Sequence, residues 1–213
     1  MPKSSKSFAT IFDDPSEWKV YSSGRARGKV APSAGPDGRV ALRLDYDFHG
    51  GGGFVVMRRT FRFTAPEAFR IGFLVRGKGP LNQFEFKVAD PSNTNVWRYA
   101  RADYKLPAVW TRVRLDEREL PFAWGPAGGG AVSKVGAIEV AVVAGQGGRG
   151  TLEISAPELA DETAGKPHKV SASSQRPGSP PQAVFDGDAS TAWRAASGDR
   201  HPFWQAAFGR RFR

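Results

Sequence analysis

Alternation of apolar and polar residues with a period of two, restarted after each turn, is the feature that most constrains this chain. Phe84, Phe86 and Val88 alternate with Gln83, Glu85 and Lys87; Val40, Leu42, Leu44 and Tyr46 alternate with Arg39, Ala41, Arg43 and Asp45. Phe69, Ile71, Phe73 and Val75 repeat the pattern in a segment that could be misread as a helix. A period of two belongs to strands with one buried face. The runs are punctuated by turn residues: Gly50 to Gly53, Gly77-Lys78-Gly79-Pro80, Asp90-Pro91-Ser92-Asn93-Thr94-Asn95, and Gly145 to Gly150. Further strands are expected at 54–63, 111–115, 135–144 and 151–154, a first one at Phe8 to Phe12, and a short edge strand near Lys29-Val30-Ala31 in an otherwise loop-like 22–38. Roughly nine or ten strands in about 150 residues predict an all-β, jelly-roll-type sandwich rather than a helical or βαβ design. The 40% hydrophobic content supports a sizeable core.

The composition removes several classes of chemistry. With no cysteine there are no disulfides, thiolate metal sites or cysteine nucleophiles. His49, His168 and His201 fall in expected loops or linkers, and no paired-histidine or nucleophile-elbow motif occurs, so no catalysis is expected. Glycoside hydrolysis needs two carboxylates across a cleft, and nothing in the spacing of the 21 acidic residues places such a pair. The net charge of +10 favours anionic partners, but the arginines are scattered along strands and no nucleic-acid motif is present; no nucleic-acid partner is expected. No apolar run is long enough to span a membrane, and the N-terminal stretch lacks the apolar core of a signal peptide.

The candidate binding residues lie in the hairpin around the Asp90–Asn95 turn. Trp97, Tyr99 and Arg101 share one face of its second strand. If Phe84, Phe86 and Val88 build the core, these three lie with Gln83 and Glu85 on the opposite, wetter face. Such a face suits a flat ligand with apolar patches and hydroxyls, of which a sugar ring is one. The period fixes alternation but not the buried side, so a core role for Trp97 and Tyr99 stays open. Trp124, in a Gly-Pro loop, is a further candidate with a structural plug as its alternative. Trp18 and Trp110 each follow a turn and start a strand, which reads as structural.

The order of signals from Trp18 to Leu159 resembles bacterial carbohydrate-binding modules of the galactose-binding-like jelly-roll fold, found in multimodular glycoside hydrolases. The segments ALRLDYDF, FRIGFLVRGKG, FEFKVADPSNTNVW with Trp110, FAWGPAGGG and AIEVAVVAGQGGRGTLEI carry it. The resemblance implies a domain over 1–160 that binds polysaccharide or oligosaccharide and holds a parent catalytic module near it, in an extracellular or periplasmic setting. Such modules often hold a structural calcium through an Asp of the final strand. Here Ser155 stands at that place, with Glu153 and Glu158 as candidate substitutes; no cofactor is required, and a structural calcium stays open.

After a linker at 161–169, residues 170–213 resemble the start of a discoidin (coagulation factor 5/8 type C) domain through Ala172-Ser173-Ser174, Ala183 to Asp188, Thr191, Trp193 and Trp204 to Gly209. The resemblance implies calcium ligation by Asp186, Asp188 and Thr191. A small sandwich takes about 100 residues and about 45 remain, so a truncated domain is expected, an incomplete second β-sandwich with poorly covered Trp193, Phe203, Trp204 and Phe208 and an incomplete metal site. The reading is therefore non-catalytic carbohydrate binding. The alternatives are a basic sandwich that meets a protein or anionic surface, and a fragment without activity of its own.

Overall fold

A computed structural model describes residues 7–163, 167–186, 188 and 190–208. Two units separate after Asp161. The first is a jelly-roll sandwich whose strands are β1 (Lys19–Ser22), β2 (Arg27–Ala34), β3 (Val40–Asp47), β4 (Phe54–Thr64), β5 (Phe69–Lys78), β6 (Asn82–Ala89), β7 (Val96–Tyr104), β8 (Thr111–Asp116), β9 (Phe122–Trp124), β10 (Lys134–Val143) and β11 (Arg149–Asp161). They form a six-stranded sheet in the order β1-β4-β10-β6-β7-β9 and a five-stranded sheet in the order β2-β3-β11-β5-β8. Every pairing in the two sheets is antiparallel.

The alternating apolar residues meet between the sheets. Phe73 of β5 stacks on Phe86 of β6 with ring centroids 5.3 Å apart, and Leu42, Leu44, Val75, Val140 and Ile154 are buried around them. Gly150 is required by this packing: a Cβ there would lie 2.3 Å from the Tyr46 hydroxyl and 2.4 Å from the Lys78 carbonyl.

In the N-terminal third one expectation is corrected, and the edge strand expected near Lys29-Val30-Ala31 is present but longer. Phe8 to Phe12 is not a strand; Phe8–Thr10 forms a 3-10 turn. The reason lies in β4, which continues past Arg58, the residue opposite Lys19 of β1, and leaves Arg59 and Phe61 without a neighbouring strand on that side. Phe8 closes it, edge-on to Phe61 and Phe63 at 6.1 and 5.6 Å. Buried Arg59 pairs with Glu17 and donates to the Ile11 carbonyl, which also receives the Trp18 indole N–H at 3.0 Å. The loop-like 22–38 region, in turn, contains the eight-residue strand β2. It is an edge strand, where Pro32 forfeits no ladder bond that matters and one half-buried Val30 suffices.

The second unit pairs β12 (Pro167–Ala172) with β13 (Trp204–Phe208). His168 therefore lies in a strand rather than a linker. Phe185 packs on Trp204 and Phe208 at 5.2 and 5.8 Å, and the Trp193 and Trp204 indoles donate to the Ser174 and Pro181 carbonyls. Phe203 is exposed and the other three aromatics expected to be poorly covered are half-buried.

Candidate functional site

The β6–β7 hairpin decides which side chains face outward. Its six-residue turn sets Ala89 opposite Val96, and from there Val88 opposes Trp97 and Phe86 opposes Tyr99. Directly opposed residues of an antiparallel pair share a face. Trp97 and Tyr99 therefore belong to the core side with Phe84, Phe86 and Val88. This corrects the expectation that they form an open binding face. Trp97 is 7% exposed, its indole N–H donates to the Gly130 carbonyl at 2.7 Å, and Phe122 meets its ring edge-on at 5.7 Å. Arg101, opposite Phe84, is exposed but lies over Tyr104 at 5.1 Å, away from the outer face. Gln83, Glu85 and Trp124 do lie on the outward side, and Trp124 sits on the edge strand β9 rather than in a loop.

Across the outward face of the six-stranded sheet, the register builds two parallel rows. One reads Tyr21, Val56, Ala141, Glu85, Ala100; the next reads Lys19, Arg58, Glu139, Lys87, Arg98. The small residues of the first row leave a floor, and the second row is a lattice of ion pairs. Lys87 Nζ bridges Glu139 at 3.1 Å and Glu85 at 3.3 Å, Arg98 reaches Glu85 at 3.1 Å, and Arg58 pairs with Glu139. Gln83 Nε2 donates to Glu85 at 2.7 Å. Glu85 is thus a buried anchor, 5% exposed in its side chain, that fixes its cationic neighbours.

Exposed rings stand at both ends. Tyr21 is 49% exposed and Phe54 40%, and with Val56, Arg58, Lys87 and Glu139 they line a groove of about 420 Å³. At the other end Trp124 is 47% exposed, with the Arg98 and Lys87 cations 5.7 and 6.0 Å from its ring centre. From β1 to β9 is five inter-strand spacings, about 24 Å. That is the reach of a short oligosaccharide, not of one ring.

The Asp90 turn positions Trp124. Asn95 Oδ1 accepts the Ala127 N–H at 2.8 Å, which ties the loop after β9 to the hairpin, while its amide donates to Asp90 at 2.9 Å. Hydrogen bonds from Asn95 and Ser92, with the backbone N–H groups of Asn95 and Thr94, hold the Asp90 carboxyl down at about 2.

The alternation of β4 carries the signal for Phe54 and Arg58, which share one face of the strand. Tyr21 sits in a four-residue strand too short to show its phase.

The expected metal ligands Asp186, Asp188 and Thr191 stand together in one turn. Asp186 accepts the Thr191 hydroxyl at 2.6 Å and the Asp188 N–H at 2.9 Å, and Asp188 accepts both the hydroxyl and N–H of Ser190. A calcium ion wants about six to eight oxygen ligands, and among the described residues no group of three or more acidic or histidine side chains converges. Ser155 is buried and donates to the Val40 carbonyl; Glu153 is held by Arg76 and Ser33, and Glu158 faces Arg112 at 3.5 Å. These residues do not fit a calcium site. Among the described residues, no helix is long and apolar enough to cross a membrane.

No protein-family model and no curated protein matches the chain. Among solved structures it is similar to the family 11 carbohydrate-binding module of a cellulosomal cellulase of Clostridium thermocellum, with 13% identity, 71% of this chain and 92% of that one covered, and a TM-score of 0.55. The family 11 module from Clostridium thermocellum in complex with a β-1,3-1,4-mixed-linked tetrasaccharide gives 15% identity, 67% and 88% coverage and a TM-score of 0.54. An exo-β-agarase gives 14% identity and a TM-score of 0.50, over 70% of this chain and 24% of its own. At such identities the likeness establishes the fold, a jelly-roll β-sandwich.

Proposed function

We propose that the first unit is a non-catalytic carbohydrate-binding module whose ligand lies along the outward face of the six-stranded sheet. The observation that carries this reading is the set of exposed rings, Tyr21 and Phe54 at one end and Trp124 at the other, flanking a floor of fixed donors and acceptors. Apolar faces of sugar rings stack on such side chains, and hydroxyls exchange hydrogen bonds with Arg58, Lys87, Arg98 and Glu139. Glu85 and Glu139 share one ammonium and each holds an arginine as well, an arrangement suited to positioning rather than to moving protons. The carbohydrate-binding modules among the structurally similar proteins support the same reading. In a longer protein the module would hold a parent glycoside hydrolase, outside the cell, on its polysaccharide.

Titration calorimetry of the chain against mixed-linkage and β-1,4-linked glucan and galactan oligosaccharides tests the proposal. Tyr21→Ala and Trp124→Ala are each expected to weaken binding about tenfold or more, as exposed aromatic anchors do, with unchanged melting. Wild-type affinity in both variants, or a folded chain that binds no glycan, overturns it.

A further inference from the structure

The opposite sheet carries a surface that neutral glycan binding leaves unused. On its outward side the register aligns Arg27, Asp47 and Arg149 in one row, and Lys29, Asp45, Thr151 and Lys78 in the next. These side chains line a groove of about 590 Å³. A second groove of about 350 Å³ shares Lys78 and Thr151 and adds Arg43, Arg76 and Glu153. Together the two present six cations against three carboxylates. Arg43 pairs with Asp45 at 2.7 Å and Arg76 with Glu153. Lys29, Lys78 and Arg149 are exposed and have no ion pair or side-chain hydrogen bond among the described residues. Three unneutralised cations around one groove make a local positive field that an anion relieves.

We propose that this face of the five-stranded sheet is a second binding site, for an acidic glycan with carboxylate or sulfate groups on alternate sugars. Two features select that ligand. First, carboxylates interleave with the cations. A phosphate ribbon, charged at every step, would meet Asp45 and Asp47 head-on, whereas a sugar chain offers hydroxyl donors to them between its acidic groups. Second, the cations are spaced apart. Arg27 and Arg149 stand two strands apart, about 10 Å, and Lys29 and Lys78 three strands apart, about 14 Å. Acidic groups on alternate sugars fit that spacing better than one on every sugar. Beside the groove the Arg76 guanidinium lies 4.5 Å from the Trp110 ring centre, a flat cationic shelf against which a ring can rest.

The test is calorimetry of the full chain at low and moderate salt. Hyaluronan carries carboxylate on alternate sugars and κ-carrageenan carries sulfate there. A neutral β-glucan and a single-stranded oligodeoxynucleotide complete the set. Binding to one of the acidic glycans, weakening with salt, is expected, and which of the two it is assigns carboxylate or sulfate. The triple variant Lys29→Ala, Lys78→Ala, Arg149→Ala should lose about tenfold or more of that affinity, since charge-assisted contacts are the strong ones. Lys78→Arg should retain it. The three positions are exposed, so melting should stay put. Trp124→Ala should leave acidic-glycan binding intact while reducing neutral binding, which separates failure of this proposal from failure of the first. The inference is overturned by wild-type affinity in the triple variant, by loss of acidic-glycan binding in Trp124→Ala, by tighter binding to the oligonucleotide, or by no acidic-glycan binding at all.

Discussion

Trp97→Ala should destabilise the module rather than remove a ligand contact. The ring is 7% exposed, wedged edge-on against Phe122, and its N–H satisfies the Gly130 carbonyl at 2.7 Å. A buried indole hides about 200 Å², which at about 25 cal/mol per Å² gives an upper bound near 5 kcal/mol. Alanine keeps a little of this burial and leaves a cavity, so a loss of about 3–5 kcal/mol is expected. Against a total stability of about 5–15 kcal/mol that is a large fraction. In a unit of this size it lowers the melting temperature by roughly 6–20 °C. Trp97→Phe separates packing from the hydrogen bond: the ring remains, the Gly130 carbonyl loses its partner, and about 1 kcal/mol goes. Urea titration followed by tryptophan fluorescence measures both, with Trp124→Ala as the exposed control expected within about 0.5 kcal/mol of wild type. If Trp97→Ala keeps the wild-type midpoint and loses glycan binding, the hairpin is phased the other way and the proposed binding face is wrong.

Glu17→Ala should destabilise more than Arg59→Met, because the first takes the ion-pair partner from a buried guanidinium, at a loss of up to about 3 kcal/mol, while the second replaces that guanidinium with an apolar chain of similar length. Chemical denaturation of both variants ranks them. Gly150→Ala should lose about 1–3 kcal/mol by the same measurement, since the Lys78 carbonyl, being backbone, cannot yield to the added Cβ. Asp90 should remain ionised well below its ordinary value near 3.9. Because its folded value is the depressed one, the turn's contribution is fully present above about pH 4 and is lost as pH falls through about 2. Carboxyl NMR titration checks this, and an ordinary midpoint refutes the hydrogen-bond account. Asn95→Ala should weaken neutral-glycan binding while Tyr21 remains exposed, because Asn95 ties down the loop that carries Trp124.

The sandwich was legible because a strand with one face on the core sets its large apolar residues at every second position, as Leu42, Leu44 and Tyr46 of β3, Phe69, Ile71, Phe73 and Val75 of β5 and Phe84, Phe86 and Val88 of β6 do, all of them buried. β2 was only partly legible: an edge strand buries little, so its sequence is free to look like loop. The N-terminal segment misled for a related reason, since Phe8, Ile11 and Phe12 are apolar to cover the overhang of β4, a tertiary demand that no local pattern records. The candidate site failed at one step, the phase of β7. Aromatic residues on a strand do not by themselves mark a binding face: the six-residue connection between Ala89 and Val96 sets Trp97 opposite Val88 and commits it to the core. Applied to the other strands, the same rule turns alternation into two faces. Arg58, Lys87, Glu139 and Arg98 become neighbours although they lie far apart in the chain, and Lys29, Lys78 and Arg149 come to line one groove on the other sheet. What a single strand cannot reveal is therefore not which residues point outward but which outward residues meet. That depends on sheet order, β4 beside β10 and β3 beside β11, and only the assembled fold supplies it.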